Sequence, residues 1–377
     1  MKALSNACVL TDQGFQEHKT VVLDDALIHA VMDDDAFDQK DIEVQDVGGG
    51  LLLPGFIDLQ VNGGGGVLFN DSPSVDTIRA IGAAHRRYGT TGFLPTLISD
   101  DLASVAAAID ATDAAIAAGV PGVLGIHLEG PFLSKEKKGV HDASKLRVLD
   151  TDAIELLSSL KNGKTLVTLA PEMASPEMIS ALVDAGVIVA AGHTNASFEE
   201  VQTALNAGLS GFTHLFNAMS QLSSRAPGVV GAALDDEQSW CGLIVDGHHV
   251  HPAALRVALA SKLPGHCVLV TDAMPCVGAD QKAFELNGQA IELIDGKCVT
   301  ADGTLAGSSL NMASAVRNTE DMLGVDRVEA VRMASEYPAS AIGLGEHFGR
   351  IEPGYRANLV LADMDLNIVD TWIDGQQ

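Results

Sequence analysis

From Leu51 onward the chain alternates, eight times over, short apolar runs with amphipathic, alanine-rich segments. Runs that are apolar on both faces read as strands buried in a parallel sheet, and the segments between them as the helices covering it. The strand candidates are Leu51–Gln60, Thr91–Leu97, Val123–Glu129, Leu166–Ala170, Val187–His193, Gly211–Leu215, Cys241–Asp246 and Cys267–Asp272. Two helix starts are legible: Ser175 before Pro176 fits an N-cap with proline at the first helical position, and Ser197 with Glu200 forms a capping box. These helices are expected to stop near Gly186 and Gly208. Eight such units in roughly 280 residues predict a (β/α)8 TIM-type barrel rather than an open doubly wound sheet, because closure removes the edges of a sheet buried on both faces.

The flanks differ in texture. Residues 1–50, with Val21–Leu23 and Leu27–Val31 as strand-like pieces, and 350–377, with Asn358–Ala362 and Ile368–Ile373, are each too short to bury a core alone. They are expected to meet in one small β-sandwich domain beside a barrel of residues 51–349. Turn signals at Asn287-Gly288, Asp295-Gly296 and Asp302-Gly303 predict a hairpin insertion near 275–307, between the eighth strand and its helix.

With 23 Lys+Arg against 50 Asp+Glu, the formal charge of −27 leaves no general basic face for a nucleic acid or an anionic membrane. A small anion would need a local basic pocket. The apolar fraction of 47% and the mean hydropathy of +0.20 are those of a globular chain, not a disordered acidic one. Cys8, Cys241, Cys267, Cys276 and Cys298 are odd in number and hold no C-x-x-C pair, so they read as thiols of a reducing compartment. The N-terminus meets Thr11 and Asp12 too early for a secretory apolar core, and no run is long enough to span a membrane. The expected location is the cytoplasm.

In such a barrel, side chains at the carboxyl ends of the strands converge on the active site. Those ends carry Gln60, Glu129, His193, His214, Asp246 with His249 just beyond, and Asp272. Glu129, His193 and His214 give one carboxylate and two imidazoles, a set suited to Zn²⁺ or another borderline divalent ion with one position left for water. Their wide spacing excludes a local finger or a helical H-E-x-x-H site. A metal there would activate water and polarise a carbonyl, as amide or ester hydrolysis requires, and Asp272 would relay the proton. The alternative for Asp272 is an N-cap of the next helix. The Gly63–Gly66 run lacks the G-K-[ST] of a P-loop and reads as a tight loop. Arg225 is notable among scarce cations; the alternative is a plain surface arginine.

Pro54-Gly55-Phe56-Ile57-Asp58, the strand-end ligands, Asp272 and the returning Ile351-Glu352-Pro353-Gly354 through Val360 together resemble the amidohydrolase superfamily. More narrowly, His127-Leu128-Glu129-Gly130-Pro131-Phe132, Lys138-Gly139-Val140-His141, Leu169-Ala170-Pro171-Glu172, Ala191-Gly192-His193-Thr194-Asn195-Ala196, Thr213 through Met219 and Asp246-Gly247-His248-His249-Val250 resemble its N-acetylglucosamine-6-phosphate deacetylase family. Many superfamily members carry His-x-His after the first-strand aspartate; here Gln60-Val61-Asn62 stands in its place, which implies one catalytic metal rather than two. Asn358 replaces the usual aspartate of the C-terminal motif, far from the chemistry.

The resemblance implies one divalent ion per subunit on Glu129, His193 and His214, Zn²⁺ first, with Fe²⁺, Co²⁺ or Mn²⁺ compatible, and Asp272 as acid/base. It implies that His141 polarises the acetyl carbonyl in an oxyanion-hole role. His249, Arg225 and the backbone amides of Asn217 and Ala218 would hold the sugar and its phosphate, with Arg225 and His249 reaching across a homodimer interface. Gln60 would lie beside the metal, and the Leu305-Ala306-Gly307-Ser308 loop against the sugar. The implied activity is deacetylation of a phosphorylated amino sugar in amino-sugar catabolism, with no nucleic-acid or membrane partner. An amidohydrolase acting on a cyclic amide would share the barrel but usually keeps the His-x-His, and a non-catalytic sugar-phosphate-binding barrel would not need the ligands and Asp272 together.

Overall fold

The computed structural model describes residues 1–377 and forms the expected barrel. Eight parallel strands lie in chain order around one sheet: Phe56–Val61, Thr90–Ile98, Gly125–Glu129, Lys164–Leu169, Ile188–Ala191, Gly211–Phe212, Trp240–Leu243 and Cys267–Leu269. Nearly every strand residue is buried, as a sheet covered on both faces requires. The helices start where capping chemistry places them. The Ser175 hydroxyl accepts from Met178 N with Pro176 at the first position, and Ser197 and Glu200 make a reciprocal capping box. Each such cap stabilises its helix by about 1 kcal/mol.

Leu51–Gln60 is not one strand. Leu51–Pro54 pairs antiparallel with Leu359–Ala362 and parallel with Cys8–Val9, whereas Phe56–Val61 pairs with the second barrel strand. The switch between sheets falls at Gly55, where a Cβ would sit 2.0 Å from Thr91 Oγ1, so only glycine fits. The chain's two ends thus share a sheet ordered Ile368–Trp372, Leu359–Ala362, Leu51–Pro54, Lys2–Thr11, Gly14–Asp24, Leu27–Asp33, with Glu43–Asp46 alongside Lys2–Ser5. It buries its own cluster around Leu4, Val21, Leu52, Leu359 and Trp372. A separate antiparallel sheet, Ala283–Leu286, Gln289–Ile294, Lys297–Val299 and Leu305–Ser308, rises after the eighth strand at the predicted turns. The helix beyond it, Met312–Leu323, is capped by Asn311, which removes the capping alternative for Asp272.

Where the first and eighth strands meet, the backbone ladder is incomplete. Asp272 N donates to Gln60 O and Asn62 N to Ala273 O, both at 3.0 Å. The buried Asp58 carboxylate supplies the rest: Oδ1 accepts from Thr271 N at 3.2 Å and Oδ2 from Thr271 Oγ at 2.5 Å. Burial pushes this carboxyl up to about 7, although the Thr271 and Gln60 donors oppose the rise. Between about pH 4 and 7 the folded chain therefore keeps a proton that the unfolded chain has lost, so this group's contribution to stability falls as pH rises, by up to ~1.4 kcal/mol per pH unit. Asp58→Asn should abolish that slope. Thermal melts of both proteins from pH 5 to 7.5 should show the wild type losing several degrees relative to the variant, and a constant gap would refute the assignment.

Candidate active site

The barrel's carboxyl end opens into a cavity of about 520 Å³ lined by Glu129, His141, His193, His214, Asn217, Ala218, His249, Asp272 and Leu305, among others. This volume suits a small-molecule ligand. His193, His214 and Asp272 lie two or three residues past their strands and hold left-handed backbones, with φ of 47°, 35° and 52°. Three non-glycine residues in that sparsely allowed region indicate backbone strain held by the surrounding fold. It explains why the fifth, sixth and eighth strands end before the predicted limits at His193, Leu215 and Asp272.

Glu129, His193 and His214 offer ligand atoms within 4.8 Å of one another. Glu129 Oε1 is 3.1 Å from His193 Nε2 and 2.9 Å from His214 Nε2, and the two nitrogens are 3.1 Å apart. His193 Nδ1 contacts the Lys137 carbonyl at 2.8 Å. A carbonyl only accepts, so Nδ1 carries the proton and Nε2 presents a lone pair to the cluster, as a metal ligand must. Burial raises the Glu129 carboxyl, but the hydrogen bonds and charges of His193 and His214 overcome this and hold it well below its ordinary value. Burial lowers the His214 imidazole, yet Glu129 more than reverses the effect. One carboxylate facing two imidazole nitrogens fits a divalent ion of borderline softness.

Asp272 is wired to this cluster by two amides. Asn62 Nδ2 donates to Asp272 Oδ1 at 2.5 Å, and Gln60 Nε2 reaches both Asp272 Oδ1 and Glu129 Oε2 at 3.2 Å. Burial, assisted by the Glu129 charge, pushes the Asp272 carboxyl up to about 6, against His214, His249 and the Asn62 bond. It is thus basic enough to accept a proton and acidic enough to return it. The His141 ring lies 4.4 Å from that of His193. Ser99 N donates to His141 Nδ1 at 3.3 Å and the Ser99 hydroxyl lies 2.7 Å from the same nitrogen; with Nδ1 accepting, Nε2 carries the hydrogen. Burial and the neighbouring His193 lower this imidazole to about 3, making it a neutral donor. Beneath the cluster, buried His127 joins Thr168 at 2.7 Å and Thr96 at 3.2 Å, tying the second, third and fourth strands.

The predicted contacts divide. The His249 ring meets Asp246 Oδ2 at 2.6 Å, which fixes its orientation at the cavity wall. The Asn217 amide already donates to His214 O, leaving that of Ala218, at φ 49°, without a backbone partner. Leu305 lines the cavity, whereas Ala306, next along the strand, turns into a hydrophobic cluster under the insertion. Arg225 is exposed and does not line this cavity. Gly63–Gly64 forms a two-residue ladder with Val67–Leu68, a tight loop as expected. Asn62, Ser99 and Lys137 were not singled out from sequence. Asn62 carries a signal, since two residues from Gln60 on a strand is the same face, and so does Ser99, which directly follows the second barrel strand and meets His141 through both its amide and its hydroxyl; Lys137 acts through a backbone carbonyl and carries none.

The cluster predicts its own behaviour towards metal. Loading with Zn²⁺ should raise the melting temperature by several degrees over chelated protein, because an ion binding only the folded state stabilises it. Glu129→Gln should lose both the shift and the bound metal by elemental analysis, and an undiminished metal content would remove Glu129 from the ligand set.

Residues 51–377 match the amidohydrolase family. An N-acetylgalactosamine-6-phosphate deacetylase of a Shewanella species is 42% identical, the alignment covering 100% of this chain and 95% of that one. The N-acetylglucosamine-6-phosphate deacetylase of Haemophilus influenzae is 34% identical over 99% and 98% of the two chains. Among solved structures, the N-acetylglucosamine-6-phosphate deacetylase of Pasteurella multocida superposes with a TM-score of 0.96 at 36% identity, covering 100% of this chain and 98% of its own. These matches run the length of the chain and include every residue of the cavity. The chain is a member of the amidohydrolase family.

Proposed function

We propose that this protein hydrolyses the acetamide of N-acetyl-D-glucosamine 6-phosphate, releasing acetate and glucosamine 6-phosphate in amino-sugar catabolism. The observation that carries this reading is the convergence of Glu129, His193, His214, His141 and Asp272 on one cavity, in a chain whose full-length relatives bear the names of amino-sugar-phosphate deacetylases. Asp272 takes a proton from the attacking water and delivers it to the departing nitrogen. The Nε2–H of His141 donates to the acetyl oxygen as its negative charge grows. One divalent ion on Glu129, His193 and His214, Zn²⁺ by preference, would acidify the water towards a pKa of about 7 and polarise the carbonyl. Gln60 and Asn62 hold Asp272 in place.

His249, the Ala218 amide with Asn217 beside it, and the Leu305–Ala306 strand form the sugar and phosphate side in this reading. Because Arg225 is exposed and away from its own cavity, we assign it to the phosphate of a second copy in a homodimer, the local cation that an acidic chain needs. We read residues 1–50 and 350–377 as one small domain and 51–349 as the barrel, in a cytoplasmic enzyme whose five cysteines are free thiols. No helix is long and apolar enough to cross a membrane.

Metal-loaded protein should release acetate from N-acetylglucosamine 6-phosphate, and neither from the unphosphorylated sugar nor after chelation. The galactosamine epimer belongs in the same assay, because the Shewanella relative bears its name. Turnover of a cyclic amide alone would overturn the reading. Asp272→Asn should lower kcat by about 10³ with metal content unchanged; retained turnover would remove Asp272 from the role. Arg225→Ala should raise KM for the phosphorylated sugar by tenfold or more, roughly the loss of one charge-assisted contact. An equal effect on an unphosphorylated analogue would refute its phosphate role.

A further inference from the structure

Two cysteines outside the catalytic set face each other. Cys276 lies four residues past Asp272, in the loop leaving the eighth strand, and Cys298 lies on the Lys297–Val299 strand of the insertion. Their Sγ atoms are 3.6 Å apart, and the two residues are 7% and 0% exposed. They sit in a cluster with Leu68, Ile98, Met274, Leu286 and Ile291. Leu68, Ile98, Met274 and Leu286 also line the active-site cavity, so this cluster is its wall seen from behind.

The insertion is also bound to Asp272 through backbone. Ser308 N donates to Asp272 O at 2.8 Å, and Met274 N donates to Ser308 O at 3.0 Å. At its turns, Asn287 Nδ2 donates to Val140 O at 3.1 Å, next to His141, and Gly296 packs against His248. A change at the cysteine pair therefore has a short mechanical route to the acid/base and to the cavity mouth.

We propose that Cys276 and Cys298 are a peroxide-reactive dithiol whose disulfide clamps the insertion against the loop carrying Asp272 and slows turnover. Cys276 is the nucleophile: of the two it is the one that reaches the surface, 7% exposed against 0% for Cys298, and its sulfur lies 3.6 Å from the thiol that resolves it. The Cys276 thiolate attacks one oxygen of hydrogen peroxide; the S–O bond forms, the O–O bond breaks, and hydroxide leaves as water with the Cys276 proton. The Cys298 sulfur then attacks the sulfenic sulfur. The S–S bond forms, the S–O bond breaks, and the second hydroxide leaves as water with the Cys298 proton. Two thiols are oxidised by two electrons and one peroxide is reduced to two waters. Bonding draws the sulfurs from 3.6 Å to about 2.05 Å, a movement that a packed cluster passes to its lining side chains.

The test treats reduced, Zn²⁺-loaded protein with hydrogen peroxide, quenches with catalase, and measures intact mass, disulfide map, deacetylase turnover and limited proteolysis. The expected result is a loss of two hydrogens, a Cys276–Cys298 peptide link, turnover lowered by about threefold or more, and recovery with dithiothreitol. The insertion at 283–308 should become more resistant to protease. Cys298→Ala should keep basal turnover and show none of these responses, and Cys276→Ala provides the same control if that variant folds poorly. Oxygen adducts without a link, a link between Cys241 and Cys267, or complete linkage with unchanged turnover and proteolysis would each overturn the proposal. The turnover arm rests on the deacetylase reading, whose failure would show already in the reduced enzyme; the mass and proteolysis arms stand without it.

Discussion

Closure of the barrel between its first and eighth strands is the constraint from which the site follows. An eight-stranded parallel sheet covered by helices has no tolerable edge, so its first and last strands must satisfy each other. Here the ladder is short, and one buried carboxylate, Asp58, completes it by accepting from both donors of Thr271. Thr271 precedes Asp272, and Asp58 stands two residues before Gln60, whose amide bridges Asp272 and Glu129. The bond that shuts the barrel therefore also sets the distance between Asp272 and the Glu129–His193–His214 cluster. Stability and chemistry meet in adjacent residues at this seam.

Much of this was legible in the sequence, for a definite reason. Strands buried on both faces are written as unbroken apolar runs, and any His, Asp or Glu that ends such a run stands out against it. Glu129, His193, His214 and Asp272 each follow such a run, and the fold brings them to one cavity. Three-dimensional relations left no such trace. The run from Leu51 to Gln60 is apolar throughout, so its change of sheet at Gly55 was hidden, and only the close approach of Thr91 reveals why glycine is there. Lys137 orients His193 through its carbonyl, a group that every residue carries. The turn that occupies the Asn217 amide with the His214 carbonyl leaves no mark in the residue types either.

The charge of the chain sharpens the reading of the cavity. Glu129, Glu136 and Asp272 line it against Lys137 alone among the lysines and arginines, in a molecule of formal charge −27. A doubly charged phosphate ester would meet repulsion there at every distance. On the proposed reading two cationic groups reverse this: the divalent ion on Glu129, His193 and His214, and Arg225 from a second copy. Both would come from outside the folded monomer, and substrate acceptance would on that reading depend on loading and assembly as much as on the fold.

The shared terminal sheet has a consequence for biosynthesis. Leu51–Pro54 lies between Lys2–Thr11 and Leu359–Ala362, strands separated by almost the whole polypeptide. On the ribosome the amino-terminal strands emerge first, yet one flank of Leu51–Pro54 stays open until the final residues are released. Through that interval an apolar strand with free amides and carbonyls is presented to the crowded surroundings. The barrel is complete before its platform is sealed, so a nascent chain stalled or cleaved before Leu359 would carry Glu129, His193, His214 and Asp272 together with an adhesive edge.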